Sequence, residues 1–359
     1  MTAKTPATPD AAALPEELTE VVLPGVVEPE GLLLRRRPVP SPGPGQVLVR
    51  VAATGVSFAE QQMRRGRYYD QPPFPFVPGY DLVGTVLEVG EGVGEGVGAA
   101  LVGSRVAALT KTGGWVSHAL LDAADLVPVP EGLSAARAET AVVNGVTAWQ
   151  LLHRKARVRA GQTVLVHGAN GGVGSTLVQL ALAAGVRVIG TAAERHHAAL
   201  RRLGVLPVDY RTEDVPARVR ELAPEGVAAV FDHIGGPGVL DSWRLLAPGG
   251  TLVAYGSAST RDDTGSKQWP VLKLLGRVWW WNALPNGRHA YFYNVWAGRA
   301  FAKDRFRARL RADLGEVFAA LDRGDITAQI AAELPLDRVA EALRLAESGT
   351  VAGKVVLTP

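Results

Sequence analysis

Residues 163–186, TVLVHGANGGVGSTLVQLALAAGV, place Gly171, Gly172 and Gly174 where an apolar, β-branched run gives way to an apolar helical pattern. Glycines at such a junction suit one kind of chemistry. The first turn of a helix presents free N–H groups and the positive end of its dipole, and a diphosphate satisfies both. Side chains must be absent where the phosphates approach, which Gly171 and Gly172 allow, and Gly174 lets the helix lie close to the strand. The frame reads Ala169-x-Gly171-x-x-Gly174, so Ala169 stands where the usual motif has its first glycine. That position needs only a tight turn, which a small residue makes at negative φ, with Gly168 sharing the bend. Ala169, Asn170, Gly171, Gly172, Val173 and Gly174 are therefore the candidate diphosphate-binding residues. A purely structural turn is the alternative, but a strand before, a helix after and repeated βαβ units beyond favour a nucleotide.

The second strand decides which nucleotide. An NAD site carries an acid about 20 residues past the glycines, against the ribose 2′-hydroxyl. Here the strand ends at Thr191 and continues Ala192, Ala193, Glu194, Arg195. Arg195 suits charge-assisted bonding to a 2′-phosphate, and DYR supplies Tyr210 and Arg211 from the third strand end. NADPH is expected over NADH. Glu194 has two readings, a 2′-hydroxyl acceptor or an acid at a helix start. Gly256 and Ser257 close the fifth strand, where ligands gather outside the carboxyl ends of a parallel sheet. His196 and His197 are adjacent on a helical pattern and point to different faces, so a solvated face is favoured over a metal site.

These residues need a scaffold. Before about Leu133 the chain alternates short apolar runs with Pro and Gly, as in QVLVRVAATGV, and reads as β-rich. The glycines around 93–97 read as a surface β-turn with no helix after them. Beyond Leu133 strands and helices alternate, which predicts right-handed βαβ units and a doubly wound parallel sheet. Two amphipathic helices and a closing strand, GKVVLTP, follow, and that strand is expected to rejoin the first sheet. The predicted architecture is α/β: a disordered tail at 1–19, a β-rich catalytic domain at 20–142, a Rossmann domain at 143–298 and a C-terminal return at 299–359. Residues 269–296 are dense in aromatics, including Trp279, Trp280 and Trp281. An apolar lid over the cleft or a subunit interface is favoured there over a membrane-surface contact.

Composition narrows the classes. The 359 residues are 47% hydrophobic and 20% charged with a formal charge of +3, and no dense basic tract with interleaved aromatics suggests nucleic-acid binding. The chain has no cysteine, which removes disulfides, thiolate nucleophiles and cysteine-ligated zinc. No run reaches the ~18 apolar residues of a membrane span. The N-terminal run of Pro and acids does not resemble a signal peptide, and a cytoplasmic protein is expected.

From Gln46 to the C-terminus, excepting 260–300, the chain resembles the medium-chain dehydrogenase/reductase superfamily, and most closely its zinc-free quinone oxidoreductase (zeta-crystallin-like) branch. The segments QVLVRVAATGVSFAEQQMRRGRYYDQPPFPFVPGYDLVGTVLEVGEGV, NGVTAWQLL, VLVHGANGGVGSTLVQLA, DYR and PLDRVAEALRLAESGTVAGKVVL carry the likeness. The resemblance implies a GroES-like catalytic domain beside the Rossmann domain, a homodimer, and hydride transfer from NADPH to a small apolar quinone or α,β-unsaturated carbonyl. Zinc relatives place Cys and His-Glu where this chain has Ser57, Tyr80 and Asp81, a set that cannot reproduce a Cys/His site. No metal is therefore expected. Negative charge then develops on the substrate oxygen and needs hydrogen-bond donors. Ser57, in SFAE where the branch often has Asn, Tyr68, aligned with a tyrosine near the substrate, and Gln62 are the candidates. Tyr68 also reads as cleft-wall packing, and Gln62 and Arg64 as solvated surface. By the same resemblance Asn144 and Thr147 lie near the nicotinamide, as do Tyr293 and Asn294 at the end of a sixth strand. Lys354 lies near the cleft or the phosphates, or merely decorates a strand edge. Two rivals stand beside the reductase: an NADP(H)-binding protein with little turnover, serving as a sensor, structural or nucleic-acid-binding protein, and a zinc alcohol dehydrogenase.

Overall fold

The computed structural model describes residues 15–94, 97–260 and 268–359. Most of the expected tail lies outside these residues. Its last part does not: Glu17–Val22 is a strand, paired antiparallel with Leu33–Pro38. Glu20, buried between Arg35 and Arg37, fastens that pairing. The tail boundary at 19 is therefore corrected to before Glu17.

The catalytic domain is built on a seven-stranded sheet around Gln46–Val56. Most of that strand is buried, while Arg50 and Ala52 face outward. Antiparallel neighbours Asp81–Val89 and His118–Asp122 flank it along much of its length, and Lys354–Thr358 joins near its end. The closing strand thus rejoins the first sheet as expected, aligning Val355 with Val56 and Leu357 with Thr54. The short helix Val97–Leu101 begins at the end of the stretch 93–97, so the expectation of a turn with no helix after it is corrected; residues 95 and 96 lie outside the described residues.

The cofactor domain is a six-stranded parallel sheet. Its spatial order is Leu206–Val208, Arg187–Thr191, Thr163–Val166, Val227–Asp232, Leu246–Ala254, His289–Phe292. The chain reverses its winding between Thr163–Val166 and Val227–Asp232, and a crevice opens at the carboxyl ends there. A buried helical run from Ala135 to Ala156 joins the domains and widens into π-helical turns at Ala141–Gly145 and Gln150–Ala156. Such widenings recur at functional sites, and this one carries Asn144 and Thr147.

The helix Trp269–Ala283 was not legible in the sequence. It packs on the edge strand His289–Phe292. Successive residues of a helix are about 100° apart, so three consecutive tryptophans cannot share a face. Trp281 turns inward and stacks on Trp243, rings 4.8 Å apart and 5° from parallel. Trp279 and Trp280 remain 73% and 58% exposed. No helix among the described residues is long and apolar enough to cross a membrane.

Candidate cofactor and substrate site

The glycine turn sits at the winding reversal. Gly168 takes φ +64, a conformation glycine adopts without strain, so the bend falls one residue before the motif. Ala169 is fully buried and packs toward Gly190 of the next strand, where any added Cβ would stand 2.7 Å from the Ala169 methyl. The missing first glycine is thus matched by a glycine on the neighbouring strand. Helix Gly172–Ala183 begins with Gly171 as its N-cap and no side chain capping it. Asn170, Gly171, Gly172 and Val173 are partly accessible, while Gly174 is buried against the Gly168 carbonyl. The amides of Gly172, Val173 and Gly174 at this uncapped start fit a diphosphate. Asn144 lies against Gly172, its Nδ2 2.4 Å from where a Cβ there would stand.

Thr191 does not face a ligand. It is 1% exposed, and its Oγ1 accepts from Gly168 N at 3.1 Å and pairs with His167 Nδ1 at 3.3 Å. Its expected cofactor contact is corrected: the hydroxyl braces the turn from behind. His167 Nε2 lies 3.2 Å from Ser242 Oγ, which donates to Asp232 at 2.8 Å. Burial holds the His167 imidazole below its ordinary range.

At the 2′ end, sequence reasoning missed Asp209. This buried carboxylate accepts from Glu194 N at 3.2 Å and Arg211 N at 2.8 Å. Its charge is met by backbone amides, and it draws the two loops carrying Arg195 and Arg211 together. Arg195 is exposed and donates to the Gly349 carbonyl. Arg211 lies 5.7 Å over the ring of Tyr210, which is half-exposed. Gly256 and Ser257 border the crevice beside His233; a Cβ at Gly256 would stand 2.6 Å from the His233 carbonyl oxygen.

The catalytic candidates form a buried cluster. Ser57 caps helix Phe58–Arg64 reciprocally with Glu60. Its Oγ accepts from Ala59 N at 3.1 Å and bonds the Glu60 carboxylate. Glu60 also accepts from Ser57 N at 2.9 Å and from Tyr80 N at 2.6 Å, and burial pushes its carboxyl above the usual range. The expectation that Ser57 donates to a substrate is corrected, because that hydroxyl is spent on the cap. Tyr68 is buried with its Oη 2.8 Å from Tyr80 Oη. Gln62 is buried rather than solvated, and its Nε2 has no partner among the described residues.

Lys354 is 2% exposed and meets Asp81 at 2.7 Å and Glu139 at 2.5 Å. It does not decorate an edge, since its strand lies between two others, and that expectation is corrected; the strand start does lie by the crevice, Gly353 N donating to the Asn170 carbonyl of the glycine turn at 3.1 Å. Those carboxylates hold its ammonium above its ordinary range, against desolvation, which alone would lower it. Asp81 also accepts from Val143 N at 2.8 Å, so the closing strand, the first sheet and the joining helix meet at one buried ion cluster. A zinc ion does not fit here: Asp81 is committed to this cluster, Ser57 to its cap and Tyr80 to Tyr68. Among the described residues no three His, Cys, Asp or Glu group to hold a metal. Arg64 is likewise buried, its Nη2 2.9 Å from both carboxylate oxygens of Glu347 and its Nη1 donating to the Val27 carbonyl at 2.6 Å, so solvated surface is not its environment. Tyr293 is 6% exposed and donates to Gln150 at 3.0 Å. Its expected cofactor contact is corrected to a packing role, in which it also bonds Thr147. Asn294 turns back onto Trp296 N at 2.9 Å.

A parallel cofactor sheet with an uncapped glycine turn, mounted on a GroES-like sheet, defines a dehydrogenase/reductase of two domains. A family model described as alcohol dehydrogenase GroES-like domain matches residues 43–131, and one described as zinc-binding dehydrogenase matches residues 203–357. The synaptic vesicle membrane protein VAT-1 homolog of Rattus norvegicus is 33% identical over 350 residues, covering 94% of this chain and 83% of the relative. A native mycobacterial structure complexed with NADPH aligns with TM-score 0.79 at 30% identity, over 95% of this chain and 100% of that one. The quinone oxidoreductase of Pseudomonas syringae pv. Tomato gives 0.80 at 28%, over 95% and 100%. The chain belongs to the medium-chain dehydrogenase/reductase superfamily, in its zinc-free quinone oxidoreductase (zeta-crystallin-like) branch.

Proposed function

We propose that this chain is an NADPH-dependent reductase of quinones or α,β-unsaturated carbonyls that works without zinc. The observation that carries this reading is the uncapped start of helix Gly172–Ala183 at the winding reversal, with the loops that carry Arg195 and Arg211 tied to one carboxylate, Asp209. When bound, NADPH supplies a hydride. The chain's own part is to grip the diphosphate through the amides of residues 172–174 and to meet the 2′-phosphate with Arg195 and Arg211. Lys354, Asp81 and Glu139 fix the angle between the sheet and the joining helix that frame the crevice. A homodimer is part of the proposal: His289–Phe292 is an edge strand, and the exposed apolar face of Trp269–Ala283 lies beside it.

A second reading, a cofactor-binding protein with little turnover, is favoured by one observation: Ser57 does not offer its hydroxyl to the crevice. One experiment separates them. Loss of NADPH absorbance with a panel of quinones and enones supports the reductase. Tryptophan quenching by NADPH without oxidation across that panel supports the second reading.

A further inference from the structure

The two adjacent histidines turn opposite ways. His197 is buried, its Nε2 3.0 Å from the Ala192 carbonyl oxygen. His196, half-buried, ends the turn Glu194–His196 and meets Arg195, whose Nε lies 3.2 Å from the imidazole Nε2. A guanidinium only donates, so Nε2 accepts, and the imidazole is neutral with its hydrogen on Nδ1. Burial first, then the charge of Arg195, hold this imidazole below its ordinary range, which keeps it an acceptor at neutral pH.

A second acceptor comes from the other domain. Arg195 Nη2 donates to the carbonyl of Gly349, in the loop that leads to the closing strand Lys354–Thr358 of the catalytic sheet. Four residues on, Gly353 N donates to the Asn170 carbonyl of the glycine turn at 3.1 Å. Four residues of extended chain span at most about 14 Å, so this loop puts the Arg195 guanidinium within a nucleotide's reach of the turn that fits a diphosphate. Thr350 N donates to Ser348 Oγ at 3.1 Å, and that hydroxyl donates to the Leu345 carbonyl at 2.7 Å, which fixes the loop around Gly349.

The planar fork of the guanidinium decides what remains for a ligand. Nε–H and one Nη2–H make one edge, and Nη1 with the other Nη2–H makes the outer edge. His196 and Gly349 take the first edge with two separate acceptors. The outer edge remains, and two parallel N–H bonds there suit a phosphate. A long exposed side chain without such supports must be ordered when the ligand binds, which costs affinity. We propose that His196 is a specificity-determining positioning residue: by accepting from Nε it aims the outer edge of Arg195 at the cofactor's 2′-phosphate, and so favours NADPH over NADH. This rests on the NADPH-dependent reading above. NADH carries a hydroxyl at that place and gains little from an aimed guanidinium.

The test titrates the full chain with NADPH and with NADH by tryptophan fluorescence, in wild type, His196→Leu, His196→Gln, Arg195→Ala and the double variant Arg195→Ala with His196→Leu. His196→Leu should weaken NADPH binding about 3- to 10-fold, the worth of one partly exposed hydrogen bond, with NADH affinity unchanged. His196→Gln should recover the loss, because its amide oxygen reaches about as far as Nε2. Once Arg195 is Ala, His196→Leu should add nothing, since residues that act as a unit are not additive. The aiming role alone is overturned if wild type prefers NADPH and His196→Leu loses less than about threefold, or weakens NADH equally. It is likewise overturned if His196→Gln does no better than His196→Leu, or if the loss persists without Arg195. A wild type that binds NADPH no tighter than NADH would overturn the NADPH reading and the aiming role together.

Discussion

Gly171→Ala separates cofactor binding from folding. Gly171 has φ −74 and ψ 174, a conformation open to any residue. A Cβ there would meet only the Gly168 carbonyl oxygen, at 3.3 Å, a tight contact that needs the turn to give by a few tenths of an ångström and far milder than the backbone overlap at Gly174. Replacing Gly by Ala at a compatible position stabilises by about 0.4–1 kcal/mol through the unfolded chain. The methyl stands beside the uncapped amides of Gly172 and Val173, on the path of an incoming phosphate. Losing one hydrogen bond to a charged group costs about 1.5–3 kcal/mol, which weakens NADPH binding by about 10- to 150-fold. Gly174→Ala is the opposite control. Its Cβ would stand 2.1 Å from the Gly168 oxygen, 2.9 Å from the Gly168 carbon and 3.1 Å from Ala169 Cα, all of them backbone. Overpacking of that kind costs about 1–3 kcal/mol of stability. Tryptophan-fluorescence titration with NADPH, paired with thermal unfolding, reads both effects. Undiminished NADPH affinity in a folded Gly171→Ala protein would refute the reasoning.

Lys354→Met removes the cation between Asp81 and Glu139, and breaking a buried pair costs about 3–5 kcal/mol; a loss below about 1 kcal/mol in urea unfolding would contradict the cluster's role. Arg195→Ala should narrow the preference for NADPH over NADH about tenfold, read from the two affinities, and an unchanged ratio would move 2′ recognition elsewhere. His167, held below its ordinary value of 6.5 by burial, stays neutral in the fold where the unfolded chain takes up a proton. Its contribution is complete above about pH 6.5 and is lost as pH falls below that. His167→Gln should therefore flatten the acid limb of the unfolding free energy by up to about one proton, and identical limbs would contradict this.

The parts legible in the sequence were local. The glycine turn, the strand–helix alternation and the closing strand each announce themselves within a few residues, through period and turn chemistry. The site's side chains depend on partners far apart in the chain. Lys354 meets Asp81 across 273 positions, Arg64 meets Glu347 across 283, and Trp296 meets Tyr80 across 216, and no local pattern reveals such pairs. Two misses did carry a local signal. SFAE has the Ser-x-x-Glu spacing of a reciprocal helix cap, which explains why Ser57 is not a free donor. Gly190, facing Ala169, was the compensation for the missing glycine. The helix Trp269–Ala283 was obscured because three adjacent tryptophans blur its period, although only Trp281 enters the core.

The most direct test of the central claim follows the hydride itself. NADPH deuterated at C4 is incubated with the wild-type protein, freed of metal by a chelator, and with 2-cyclohexenone, and the product is analysed by mass spectrometry and NMR. The account predicts deuterium on the β-carbon of the reduced product at undiminished rate after chelation. Product without deuterium from either face of the ring, or activity that vanishes with the metal, would contradict it.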